Sequence, residues 1–146
     1  MRAAHCMIHV RDLGRAVAFY AMALRFHEVD RHHYDGATLV YLRGSEAPFE
    51  IELICPRQWH YEERPEPGRN HLAFCVADLE AERARLQALG VETDPITDHV
   101  ANGMHQTRYF YFADPEGNQI EFLEARGRYA GEEERRDVEP TAQDRR

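Results

Sequence analysis

Along this chain the spacing of hydrophobic residues changes period several times, and those changes outline the elements. Residues 5–10 are apolar and β-branched enough to read as a strand. Asp12 is placed to cap a helix over 13–24, in which Leu13, Ala16, Val17, Tyr20 and Leu24 recur at helical spacing. Three extended segments follow, at 26–31, 37–42 and 49–55, separated by the turn sequences Tyr34-Asp35-Gly36 and Gly44-Ser45-Glu46-Ala47-Pro48. The order is βαβββ.

From 58 to 70 periodicity is lost and Pro65, Pro67 and Gly68 appear, which marks a connector. The pattern then restarts. A strand is expected over 71–76, and Asp78 caps a helix ending near Gly90. Further strands are expected at about 91–93, 106–112 and 119–123, the last two joined by the hairpin turn Asp114-Pro115-Glu116-Gly117-Asn118. With an offset of 66, His5 falls on His71, Val10 on Val76 and Asp12 on Asp78. With an offset of 69, Ile51-Glu52-Leu53-Ile54 falls on Ile120-Glu121-Phe122-Leu123. A His opens each half and a Glu sits on its last strand.

Composition narrows the chemistry. The 146 residues contain 18 Arg, no Lys and a single Ser, Ser45, which removes a Walker-type phosphate loop, a Schiff-base amine and a serine-nucleophile motif. A net charge of -8 without a basic cluster argues against nucleic acid as a partner. No apolar run reaches membrane-span length, and the first residues lack the plan of a signal peptide, so the chain reads as cytoplasmic, with no membrane partner. Cys6, Cys55 and Cys75 are odd in number and widely spaced, as expected of reduced core thiols. Residues 127–146, with Glu132-Glu133-Glu134-Arg135-Arg136-Asp137, are too polar to bury much surface and read as a charged, mobile tail.

Side chains alternate faces along a strand, so His5, Met7 and His9 share one face, as do Glu50, Glu52 and Ile54. The same holds for His71, Ala73 and Cys75, and for Gln119, Glu121 and Leu123. If the two βαβββ units pair into a curved sheet, His5, Glu52, His71 and Glu121 meet at one point. Two nitrogens and two oxygens suit one divalent Zn, Ni, Co, Mn or Fe and leave two positions open for a substrate. A strand His is ordinarily a hydrogen-bonded structural residue and a strand-end Glu ordinarily solvated, but Glu52 and Glu121 sit among apolar neighbours, where a charge needs a partner. Met7, Ile54, Phe74 and Phe110 are the apolar neighbours expected around the site. His32, His33, His60, His99 and His105 are placed in or near turns and connectors, and Cys75 is read as a core thiol.

The repeated βαβββ plan, Val10-Arg11-Asp12-Leu13, the helix ending in Phe19-Tyr20 and the run from Asp114 to Glu121 together resemble the vicinal oxygen chelate superfamily, from about His5 to Ala125. That resemblance implies an α+β fold in which two βαβββ modules form a curved mixed sheet around a metal site. The domain would cover 1–126, with modules at about 4–56 and 70–125. Within the superfamily, the His, Glu, His, Glu set is similar to the glyoxalase I (lactoylglutathione lyase) family. It implies His5, Glu52, His71 and Glu121 as metal ligands, Glu121 as the catalytic base and Glu52 as the second carboxylate of the reaction. It also implies a homodimer acting on a small-molecule substrate, the hemithioacetal of a 2-oxoaldehyde and a thiol such as glutathione. The family usually places Arg and Asn where this chain has His9 and Pro56, leaving Arg11, Arg57 or Arg108 to hold the thiol portion. The competing resemblances are to an epimerase, an extradiol dioxygenase, or a metal-free drug-binding protein of the bleomycin-resistance kind.

Overall fold

A computed structural model describes residues 3–45, 49–58, 71–126 and 129. The chain divides into two compact units, Met1–Asn70 with Ala113–Asn118, and His71–Phe112 with Gln119–Arg146. Each is βαβββ. The first runs β1 (His5–His9), α1 (Leu13–Leu24), β2 (Phe26–His33), β3 (Ala37–Gly44) and β4 (Glu50–Pro56). The second runs β5 (His71–Val76), α2 (Leu79–Ala88), β6 (Thr97–Ala101), β7 (Met104–Ala113) and β8 (Gln119–Glu124). The four-stranded sheets have the same order, β1-β4-β3-β2 and β5-β8-β7-β6. In both, the first strand pairs in parallel with the last, so the helix is a crossover connection and the remaining pairing in the set is antiparallel hairpin work. The α+β class expected from sequence is the one found.

Both helices start as their sequences dictate. The Asp12 side chain accepts from the backbone N–H of Arg15 at 2.9 Å, and Asp78 accepts from Ala81 at 2.8 Å, satisfying amide donors that the first turn leaves open. Helix α1 buries Ala16, Tyr20, Ala23 and Leu24 and ends where Arg25 turns left-handed, at φ 57. Helix α2 buries only Leu79 and Leu86, and Glu80 and Glu82 in its first turn suit the positive end of the helix dipole. Against α1 the first sheet sets Val40, Leu42, Ile51 and Leu53, all fully buried. In the second unit Phe110, Phe112 and Phe122 pack edge-on or tilted, with centroids 5.0–6.1 Å apart, beside Ile120 and Leu86.

The strand expected at 91–93 does not form; Thr93 makes a single isolated bridge to Phe112. Pro95 follows closely and has no N–H to donate, and the pairing is taken up instead by β6, Thr97–Ala101. That strand is at a sheet edge, exposed along almost all its length, so it lacks the alternation that reveals a half-buried strand. Strand β2 is the matching edge, with Phe26 its only buried residue. His32 and His33 therefore lie on β2, His99 on β6 and His105 on β7 rather than in turns. His60, the rest of the expected 58–70 connector beyond Gln58, and the tail other than Tyr129 fall outside the described residues. Among the described residues no helix is long and apolar enough to cross a membrane.

The hairpin turn between β7 and β8 forms as its sequence requires. Asp114 is buried, and its Oδ1 accepts from the N–H groups of Glu116 and Asn118 at 2.9 and 2.8 Å, while Gly117 supplies φ 88. Tyr20 of α1 donates its hydroxyl to Asp114 Oδ2 at 2.9 Å, and Glu116 accepts from the Arg11 N–H at 2.8 Å. The turn is thereby fastened to the start and middle of the first helix.

Candidate metal centre

Register brings the chosen residues together in pairs. On β1, Met7 stands opposite Glu52 of β4, which stands opposite Tyr41 of β3, so one face of the first sheet carries His5, Met7, Glu52 and Tyr41. His5 Nε2 lies 3.4 Å from Glu52 Oε2. Tyr41 donates its hydroxyl to the other oxygen, Oε1, at 2.6 Å. In the second sheet Ala73 stands opposite Glu121, and His71 Nε2 lies 3.1 Å from Glu121 Oε2. The His71 and Tyr111 rings meet edge to face at 5.5 Å. Each unit thus holds one imidazole and one carboxylate beside a tyrosine. Among the described residues no group of three or more His, Cys, Asp or Glu side chains gathers around one point, so the expected four-ligand set is present here as two pairs.

Burial and charge set these carboxylates apart from their neighbours. Glu52 is 8% exposed. Glu50, two residues earlier, is paired with Arg43, and Glu80 and Glu124 are both paired with Arg108. Among the described residues neither Glu52 nor Glu121 has an arginine partner. A carboxylate withdrawn from water with only a phenol and an imidazole beside it is short of positive charge, which a divalent cation would supply. The spacing agrees: two donors about 2.1 Å from one ion are roughly 3.0 Å apart at a right angle and about 3.4 Å apart at the tetrahedral angle. Both His–Glu separations fall in that interval. Each His–Glu pair is therefore spaced as two ligands of one ion would be.

The phenols register the same fields. The hydrogen bond to Glu52 is the main reason the Tyr41 hydroxyl is pushed up to about 12. Tyr111 is raised by burial first and by the Glu121 charge second. Neither tyrosine was expected at the site, although 111 − 41 = 70 places them at nearly the offset that relates the glutamates. Phe74 and Phe110 are corrected: both lie on the helix side, Phe74 against Phe122 and Phe110 against Phe112 and Phe122, while Met7 and Ile54 keep the expected face. Cys75 is exposed rather than core, on the His71 face, with its thiol raised by desolvation and then by Glu121. Cys6 and Cys55 are half-buried, and all three are free thiols. Arg108 is committed to Glu80 and Glu124 and is not placed to hold a substrate.

Two βαβββ units of one topology, each with a His on its first strand and a Glu on its last, define a class of protein built by duplication. The chain belongs to the Glyoxalase/Bleomycin resistance protein/Dioxygenase superfamily, whose family model matches residues 2–122. It is 32% identical over 124 residues to the uncharacterized protein YwbC of Bacillus subtilis, covering 82% of this chain and 94% of that one. To the lactoylglutathione lyase of Haemophilus influenzae it is 32% identical over 139 residues, covering 90% and 98%. The structure of the trypanothione-dependent glyoxalase I of Leishmania major superposes with a TM-score of 0.63 at 26% identity, covering 85% and 86%.

Proposed function

We propose that this protein is a metal-dependent lyase of the glyoxalase I kind, isomerising the hemithioacetal of a 2-oxoaldehyde and a thiol to an S-2-hydroxyacyl thiol. The observation that carries the proposal is the duplicated His–Glu pair, without an arginine partner among the described residues, in a chain similar to a lactoylglutathione lyase. His5, Glu52, His71 and Glu121 would hold one divalent ion, Zn, Ni, Co, Mn or Fe. When bound, the ion supplies Lewis-acid stabilisation to the two adjacent oxygens of the substrate.

The reaction relocates two protons. Glu121 takes one from the carbon that carries the hydroxyl and the sulfur, leaving an enediolate, and returns it to the neighbouring carbon, while the hydroxyl proton passes from the first oxygen to the second. Carbonyl and alcohol thereby exchange places with no net redox change. Glu52 keeps its place on β4 through Tyr41. Met7 is 50% exposed on the same face and offers the substrate an apolar contact. His9 and Pro56 change the family's usual thiol contacts, and Arg57 and Arg11 are proposed to supply the thiol contact in their place. The active form is proposed to be a homodimer.

The test is to reconstitute purified protein with each metal and assay thioester formation from methylglyoxal with glutathione, and in parallel with other thiols. Turnover that depends on metal and is lost to a chelator is the expected result. Metal-loaded protein inactive with every thiol overturns the lyase assignment.

A further inference from the structure

We infer that Tyr41 is a positioning residue that restricts Glu52 to ligation through a single oxygen. The inference rests on the metal-centre reading above. Glu52 shows its two oxygens to different partners: Oε2 faces His5 Nε2 at 3.4 Å, and Oε1 receives the Tyr41 hydroxyl at 2.6 Å. That separation lies at the short end of O–H···O bonds, where an ionised acceptor puts it. A carboxylate with one oxygen so engaged can place the other on an ion beside the imidazole, whereas ligation through both would make Oε1 share itself between the phenol and the ion.

The phenol is itself held. The Tyr41 ring meets His5 edge-on at 6.1 Å and 76° and His32 of β2 at 5.9 Å and 74°, and His32 Nε2 is anchored to Asp30 Oδ2 at 3.2 Å. Four adjacent strands thus contribute one row, His5, Glu52, Tyr41 and His32, with the hydroxyl aimed at the carboxylate. Single-oxygen ligation leaves a coordination position that a bidentate carboxylate would occupy, and a substrate chelating through two oxygens needs it.

Co(II) binding to the full-length protein tests this without any assay of turnover. Tyr41→Phe is expected to fold, with its metal-free thermal midpoint lowered by roughly 3–10 °C because Glu52 loses its donor. It should bind Co(II) about 10–100-fold more weakly in competition with a chelating dye, as loss of a partner that orients a ligand does. The visible Co(II) bands should weaken as coordination number rises. Wild-type affinity and spectrum in the variant overturn the inference and leave the metal centre standing. Wild-type protein that binds no Co(II) overturns both. If Tyr41→Phe fails to fold, the infrared difference spectrum of the wild type on Co(II) addition decides: the wide carboxylate band separation of one-oxygen ligation supports the inference, and only the narrow separation of bidentate ligation overturns it.

Discussion

Glu121 and Glu52 occupy corresponding positions, yet their surroundings give them different freedom. The Tyr41 hydroxyl is 2.6 Å from Glu52, whereas Tyr111 answers first to burial and only weakly to a hydrogen bond with Glu121. With Glu121 as the proposed base, Glu121→Gln is expected to lower kcat by about 10²–10⁴-fold. Much of the metal should remain bound, because the amide oxygen can still ligate, and kcat measured with metal content on one preparation checks both halves. Undiminished kcat would remove Glu121 from the role of base. Tyr20 tests the fold instead. It is fully buried and donates to Asp114, so Tyr20→Phe should cost about 1–3 kcal/mol in urea unfolding near neutral pH. Burial, then the Asp114 charge, raises its hydroxyl far above the model-compound value of 10.0. Above pH 10 the unfolded chain would lose that proton while the folded chain keeps it. The stability Tyr20 contributes is therefore whole below pH 10 and falls by about 1.4 kcal/mol per pH unit above it. The gap between wild type and Tyr20→Phe should narrow above pH 10 and close by about pH 11 if it is near 1 kcal/mol or about pH 12 if it is near 3 kcal/mol; a constant gap would mean that Tyr20 ionises alike in both states.

Strand edges mark where the sequence could be read and where it could not. Helix α1 is legible because cap and apolar spacing agree, α2 because Asp78 repeats the cap of the first half, and β1, β4, β5 and β8 because they are rich in apolar residues. Strand β6 and the last residues of β2 are not legible, because an edge strand turned to water needs no apolar face. The four candidate ligands were legible through duplication. Tyr41 and Tyr111 were not, since a tyrosine in a half-buried strand is ordinary β composition until register shows what its hydroxyl meets. Phe110 was misplaced for the same reason: only the pairing of β7 with its neighbours tells which parity faces Glu121. Pairing also makes Gly44 critical, because it stands opposite Phe26 where β2 begins. A Cβ at Gly44 would lie 2.8 Å from Phe26 Cε1, and the buried ring has little room to yield. Gly44→Ala should therefore cost about 1–3 kcal/mol in urea unfolding. Gly36→Ala, with nothing within 4 Å of its added carbon, should change stability by less than about 1 kcal/mol in either direction. Equal effects of the two substitutions would show that crowding at Phe26 is relieved by movement of β2.

Duplication has a consequence for the whole molecule, because each unit contains one His–Glu pair and a pair alone is a weak site. In the proposed centre every ion needs one pair of each type, so His5→Ala and His71→Ala should weaken metal binding by similar factors. Full occupancy should be one ion per chain. If the pairs combine across the proposed homodimer, a mixed dimer of these two variants contains one site lacking both histidines and one site with all four ligands. Random exchange of equal amounts should then return about a quarter of the sites to working order, recovering metal binding and turnover that neither variant shows alone. Combination within a chain allows no such recovery, because every chain in the mixture carries a damaged site. Labelling the two variants to confirm that mixed dimers form makes the outcome decisive: exchange without recovery places both pairs of each centre on one chain, and recovery places them on two.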